Sequence, residues 1–423
     1  MTNRITALTA DERGNIFDVP EAQGVGRVGE KFFKLKPEDL IKLPESADLM
    51  FLPQRQAIGF RRGEFVTLNG RAVSAILPQG YTRTHLPAFK KNSRAQILPL
   101  YGYTAVVLYK DELHAAAIYT DENFKWNPEH YNTPALKKYI RRVKKDLPDN
   151  RIVAQVANCS LEWHCLTAQN LFYRRWECGV PTSPTCNANC LGCISLQAAE
   201  CCPSPQSRIT FKPTVEEIAE AGIYHLSHAD EGIISFGQGC EGEPSLMAEN
   251  ICAAIKKIRA TTSRGQININ TNAGFTAGIK KIIDAGLDSM RVSIISANEE
   301  NYQKYYRAGY KLDAVKNSIR YALDKNIHVS LNLLYMPGFN DRESEFAAWK
   351  NFLEELPVQM IQVRNLNYDP DEFFAAMSHD KNFLGTKKFL RELKKNFPAL
   401  KIGNFSHYLE GVELLPPAEA GDS

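Results

Sequence analysis

Pro184-Thr185-Cys186-Asn187-Ala188-Asn189-Cys190-Leu191-Gly192-Cys193 spaces three cysteines as C-x3-C-x2-C within one short loop. Three soft thiolates held this close can each take one iron of a [4Fe–4S] cube. The fourth iron is then left without a protein ligand and open to a small molecule. A zinc site would need a fourth protein ligand, which Cys201 or Cys202 could supply, and more often uses paired C-x2-C units. Burial as small hydrophobes is the ordinary alternative.

Working outward, all ten cysteines of the 423-residue chain fall between Cys159 and Cys252. A disulfide-stapled secreted protein spreads its cysteines along a short fold. The first residues show no basic head followed by an apolar run, so no signal peptide is expected. No stretch of about 18 apolar residues occurs, so no membrane span is expected either. The expected setting is a reducing cytoplasm. Hydrophobic residues are 44% and charged residues 23%, and the net charge is only +3, which excludes a histone-like or strongly acidic protein.

Downstream of the loop, short apolar runs starting at 232, 266, 289, 328 and 360 alternate with amphipathic segments. The strands are expected at 232–237, Gln266–Thr271, Ser289–Ile295, His328–Tyr335 and Met360–Asn365. The helices are expected at Ser245–Thr261, Phe275–Ala285, Glu299–Arg307, Leu312–Lys325 and Arg342–Leu356. Such a run of βα units implies a parallel sheet with right-handed crossovers and a site at the carboxyl ends of its strands. Upstream, Gly63–Ile76, Leu98–Tyr109 and Ala115–Tyr119 read as strands, with turn formers at Asn69-Gly70 and Lys110-Asp111. Pro134–Leu147 reads as a helix whose face of Lys137, Lys138, Arg141, Arg142, Lys144 and Lys145 is either solvated or docks RNA or an acidic partner.

Motifs recur at the strand ends. Gly237-Gln238-Gly239-Cys240-Glu241-Gly242-Glu243-Pro244 follows the run at 232, and Thr271-Asn272-Ala273-Gly274 follows the next. Arg291-Val292-Ser293 precedes Glu300-Asn301-Tyr302, and Met336-Pro337-Gly338-Phe339-Asn340-Asp341 follows the strand at 328. Together with the cysteine spacing, and in this order, these resemble the radical S-adenosylmethionine (radical SAM) superfamily. Two departures stand out. Glu241 occupies the first position of that family's Gly-Gly-Glu-Pro motif, and Gly192 stands where an aromatic residue usually precedes the third cysteine.

The resemblance implies an α/β fold: a partial (β/α)6 barrel at 169–370, an N-terminal mixed α/β accessory domain at 1–168, and a C-terminal helical extension and tail at 371–423. It implies a [4Fe–4S] cluster on Cys186, Cys190 and Cys193, with S-adenosylmethionine chelating the open iron. Gly239, Gly242, Glu243, Ser293, Asn332, Met336 and Gly338 are the implied cofactor-binding residues, with Gly242 and Glu243 accepting from the ammonium and Met336 and Gly338 near the adenine. Reductive cleavage of S-adenosylmethionine then yields a 5′-deoxyadenosyl radical that abstracts hydrogen from a substrate, an oxidoreductase-type reaction. The implied electron donor is a flavodoxin or ferredoxin; the substrate is a small molecule, peptide or RNA, and no catalytic acid or base is named.

Cys159, Cys165, Cys178, Cys201 and Cys202 are candidates for an auxiliary iron–sulfur cluster, and Cys240 for a thiol at the site or a buried residue. Two other classes stay open: a metal- or cluster-binding module associated with RNA, and an iron–sulfur protein that only transfers electrons. The helix expected at Thr386–Phe397 reads as a solvated amphipathic face, and Pro416–Ser423 as a disordered tail.

Overall fold

The computed structural model describes residues 4–122, 124–196, 202, 204–377 and 382–409. Cys201 and the tail Pro416–Ser423 lie outside the described residues. Two large sheets organise the chain. The first is a nine-stranded antiparallel sheet built from Thr6–Ala10 through Glu112–Tyr119. Its longest hairpin pairs Asp48–Arg61 with Glu64–Ile76 and turns at Arg62-Gly63, both at positive φ (52° and 89°), the backbone hand that a tight hairpin demands. Lys110-Asp111 makes the same kind of turn between Tyr103–Tyr109 and Glu112–Tyr119. Asn69-Gly70 is not a turn. It lies inside Glu64–Ile76, where the register slips, and a Cβ on Gly70 would meet the Thr9 side chain at 2.7 Å. Three helices follow, at Leu136–Asp146, Arg151–Glu162 and Leu166–Tyr173. The first buries Leu136, Ile140 and Val143 and leaves most of its lysines in solvent.

The second sheet is parallel, its strands in sequence order. We number them β1 (Arg175–Gly179), β2 (Asp230–Phe236), β3 (Gln266–Thr271), β4 (Ser289–Ile294), β5 (His328–Tyr335), β6 (Met360–Asn365) and β7 (Lys401–Gly403). With its crossover helices it forms the expected half-barrel, to which the short β7 adds a seventh strand. The period-two alternation assigns the faces. Ile267, Ile269, Met290, Val292, Val329, Leu331, Leu333, Ile361 and Val363 are fully buried among the apolar residues of the core. The alternate positions, Asn270, Arg291, Ser293, Asn332, Gln362 and Arg364, line the lumen. A (β/α)8 barrel fills its interior with branched apolar side chains; this half-barrel keeps a polar cavity instead.

The antiparallel sheet is clamped onto the barrel. Arg55 and Asp369 form an ion pair at 2.7 Å with side chains 1% and 0% exposed, and Asp369 also accepts from the Leu98 backbone. Arg27–Asp371 and Lys91–Glu372 flank it. Arg83 is fully buried and donates to the carbonyls of Tyr103, Tyr335 and Leu366, and burial pulls its pKa down to about 9. Among the described residues no helix is long and apolar enough to cross a membrane.

Candidate active site

The cysteine loop leaves the end of β1 and is pinned from three sides. The Ser183 and Thr185 carbonyls accept from Gly242 N (2.6 Å) and Glu243 N (2.8 Å), stitching the loop to the end of β2. Gly242 is glycine for a steric reason: a Cβ there would lie 2.0 Å from the Thr185 oxygen. Asn187 accepts from the Asn272 amide at 2.7 Å, which ties it to the end of β3. Asn189 N and Leu191 N donate to the carbonyls of Tyr306 and Tyr305, at the end of the helix Glu299–Tyr306.

Glu243 and Glu241 are the two clasps of this arrangement. Buried Glu243 accepts from Ser245 N, the Thr271 hydroxyl and Asn272 N, so its carboxylate joins the ends of β2 and β3 and caps the 3-10 turn Pro244–Met247. Ala273 there sits at φ 55°, the left-handed conformation that glycine adopts most readily. Glu241 takes five donations, from Thr182 N and Oγ1, Ser183 N, Gly237 N and Gln238 N. Burial pushes its carboxyl up to about 7 against those donors. Sequence reasoning registered Glu241 only as a departure; its signal was a charged residue in a glycine position.

Gly192 has a matching explanation. A Cβ there would lie 3.0 Å from the Tyr305 hydroxyl. Buried Tyr305 thus occupies the space beside the third cysteine that an aromatic at 192 would need.

Cys190 and Cys193 open onto a cavity of about 640 Å³, room enough for a small molecule. Of the residues named from sequence, Cys190, Cys193, Gly239, Ser293 and Asn332 line it. Cys186 stands on the same loop, and Gly242 and Glu243 lie behind that loop. Met336 and Gly338 do not reach the cavity. Met336 is fully buried against Arg83, and a Cβ on Gly338 would strike the Gly29 backbone nitrogen at 2.0 Å, so this loop is where the N-terminal part of the chain packs onto the barrel. Gln238 lines the cavity, whereas Cys240 is buried.

The donor set fits an iron–sulfur cube. The three thiols are free, and burial pushes Cys186 and Cys190 up, so they stay protonated until a metal claims them. Arg208 aims a guanidinium N–H at Cys193 Sγ, at 3.6 Å. Among the described residues no three His, Cys, Asp or Glu side chains converge on a single-ion site; a cube, by contrast, spreads its ligands over separate irons. Two orphan polar atoms also face ligand space: Asn332 Oδ1 and the Tyr306 hydroxyl are buried without a partner, and both residues line the cavity.

Residues 180–349 match the family model described as the Radical SAM superfamily. That matched segment of 170 residues is similar to the radical SAM superfamily. The cofactors of that family are a [4Fe–4S] cluster and S-adenosylmethionine. Among curated relatives, a GTP 3′,8-cyclase of Desulforamulus reducens is 25% identical over 241 residues, covering 55% of this chain and 66% of that protein. An uncharacterised protein of Methanocaldococcus jannaschii, MJ0804, is 28% identical over 232 residues, covering 51% of this chain and 78% of that protein. The chain thus spans just under two thirds of the cyclase's length. Among solved structures, methylornithine synthase (PylB) aligns with a TM-score of 0.40 at 18% identity, over 63% of this chain and 77% of that one.

Proposed function

We propose that this radical SAM enzyme holds its cluster through Cys186, Cys190 and Cys193, binds S-adenosylmethionine beside them, and takes its substrate into the polar half-barrel. The observation that supports this most directly is one continuous cavity running from Cys190 and Cys193 to the lumen residues of β4, β5 and β6. When bound, the cofactors supply one-electron cleavage of the sulfonium and a 5′-deoxyadenosyl radical.

The chain's own residues do the placing. Glu241, Glu243 and Gly242 fix the cysteine loop against the ends of β2 and β3. Gly239 lines the cavity without a side chain, in space that the Gln206 side chain occupies, and Ser293 and Asn332 offer a hydroxyl and an unpartnered amide oxygen to the cofactor's polar groups. Met336 and Gly338 act one step further out, seating the N-terminal part of the chain, whose Ile76, Gln79, Tyr81 and Gly102 line the cavity. A flavodoxin or ferredoxin delivers the electron in a reducing compartment, consistent with the free described thiols. The cyclase relatives make GTP the first substrate to try.

Iron analysis and electron paramagnetic resonance test this reading. Anaerobically reconstituted protein should carry about four irons per chain, and its reduced signal should change when S-adenosylmethionine is added. A colourless zinc protein that binds RNA, or a cluster whose signal ignores S-adenosylmethionine, would favour the binding-module or electron-carrier readings.

A further inference from the structure

The charges lining the cavity do not balance. Two guanidiniums, Arg291 on β4 and Arg364 on β6, face it, and Glu177 on β1 is its one carboxylate among the described residues. Glu177 is committed: its Oε1 accepts from Arg291 at 3.3 Å and from the Ser235 hydroxyl at 2.6 Å. Arg291 also donates to Ser406 Oγ at 2.8 Å and to Gln362 Oε1 at 3.3 Å, so its charge and donors are largely satisfied.

Arg364 differs. One of its nitrogens donates to the Asn404 carbonyl at 2.7 Å and to Gln79 Oε1 at 3.1 Å, both neutral acceptors. Among the described residues it has no carboxylate within ion-pair distance, and its remaining N–H donors have no partner. Burial and the neighbouring Arg291 lower its pKa to about 10 against the opposing pull of Glu177, so it stays charged near neutral pH. A half-buried guanidinium beside a second cation, its one nearby carboxylate, Glu177, already paired to Arg291, favours the arrival of an anion. Its planar fork suits two oxygens of one anion. Its place is informative too. Gln79 comes from the N-terminal part of the chain and Asn404 follows β7, so the free donors sit where these parts meet the lumen.

We propose that Arg364, backed by Arg291, is the anion-holding end of the substrate cavity, so that the substrate is a small molecule carrying a carboxylate or a phosphate. This rests on the reading of the lumen as the substrate site. The carboxylate of S-adenosylmethionine is the competing source of the same chemistry, and the experiment separates the two.

Calorimetric titrations would compare wild type, Arg364→Gln and Arg364→Lys, all anaerobically reconstituted. The ligands are pyrophosphate, glutarate and, separately, S-adenosylmethionine. Wild type should bind pyrophosphate or glutarate, and whichever binds tells phosphate from carboxylate. Arg364→Gln should weaken that ligand by about tenfold or more, as loss of a charge-assisted pair implies, while leaving the affinity for S-adenosylmethionine within about twofold. Arg364→Lys, which keeps the charge but not the fork, should fall between them and guards against a merely misfolded Gln variant. Failure of wild type to bind either anion, or equal binding by Arg364→Gln, overturns the proposal. So does a loss confined to S-adenosylmethionine, which would assign Arg364 to the cofactor. Iron content and S-adenosylmethionine binding by wild type report on the enzyme reading itself, so failure of that reading shows separately.

Discussion

Gly242→Ala is the smallest change that should disable the site while sparing the fold. A Cβ at 242 would lie 2.0 Å from the Thr185 oxygen, 2.4 Å from its carbonyl carbon and 3.0 Å from Cys186 N, all backbone atoms that cannot rotate away. Non-bonded heavy atoms settle near 3.5 Å, so the loop would have to withdraw by about 1–1.5 Å. That shift breaks Gly242 N to Ser183 O and Glu243 N to Thr185 O, each worth about 1 kcal/mol. The stability cost should therefore be about 2–3 kcal/mol including residual strain, which a barrel core of this size tolerates. Metal-ligand distances, however, tolerate only about 0.2 Å. After anaerobic reconstitution, Gly242→Ala should keep its circular dichroism and a cooperative melt but hold well under half the iron of wild type. A variant with full iron content and an unchanged reduced spectrum would refute the claim that contact between the end of β2 and the cysteine loop sets the ligand geometry.

Other outcomes follow from the same structure. Asp369→Ala strands the buried Arg55 guanidinium and should cost about 3–5 kcal/mol, read by urea denaturation; a loss under about 1 kcal/mol would mean that water reaches the pair. His225 is fully buried, shares a hydrogen bond with the Trp176 carbonyl, and is pulled down to about 4 by burial. It stays neutral in the fold while the unfolded chain takes up a proton below about 6.5. Its contribution, roughly 3 kcal/mol, is therefore fully present above that pH and lost as pH falls toward 4. Relative to wild type, His225→Gln should flatten the fall in unfolding free energy between these values; parallel curves would show that His225 titrates normally.

The strands β2 to β6 were legible because their apolar residues recur with period two and glycine or proline punctuates their ends. β1 was not, because Arg174 and Trp176 adopt positive φ (58° and 51°) and break the alternation just where Glu177 turns inward. The helix Val215–His228 carried an unread signal, the capping box of Thr214 with Glu217. The antiparallel sheet is assembled from pairings far apart in sequence, such as Phe89–Lys91 against Arg55–Ala57, which local patterns do not encode. At the site, cysteine spacing pointed to the loop, but Tyr305 filling the space beside Gly192 depends on a helix more than a hundred residues away. Arg364 was missed although its signal was present: in Met360–Asn365, Gln362 and Arg364 interrupt an apolar strand at alternate positions, marking a polar inner face.

The central claim is that three cysteines on one loop serve the cleavage of S-adenosylmethionine. Its most direct test is quantification of 5′-deoxyadenosine after anaerobic incubation of reconstituted protein with dithionite and S-adenosylmethionine, comparing wild type with Cys186→Ala, Cys190→Ala and Cys193→Ala. Wild type should form the nucleoside and each variant should lose it. Formation by any of the three at the wild-type level, or none by an iron-replete wild type, would contradict the account.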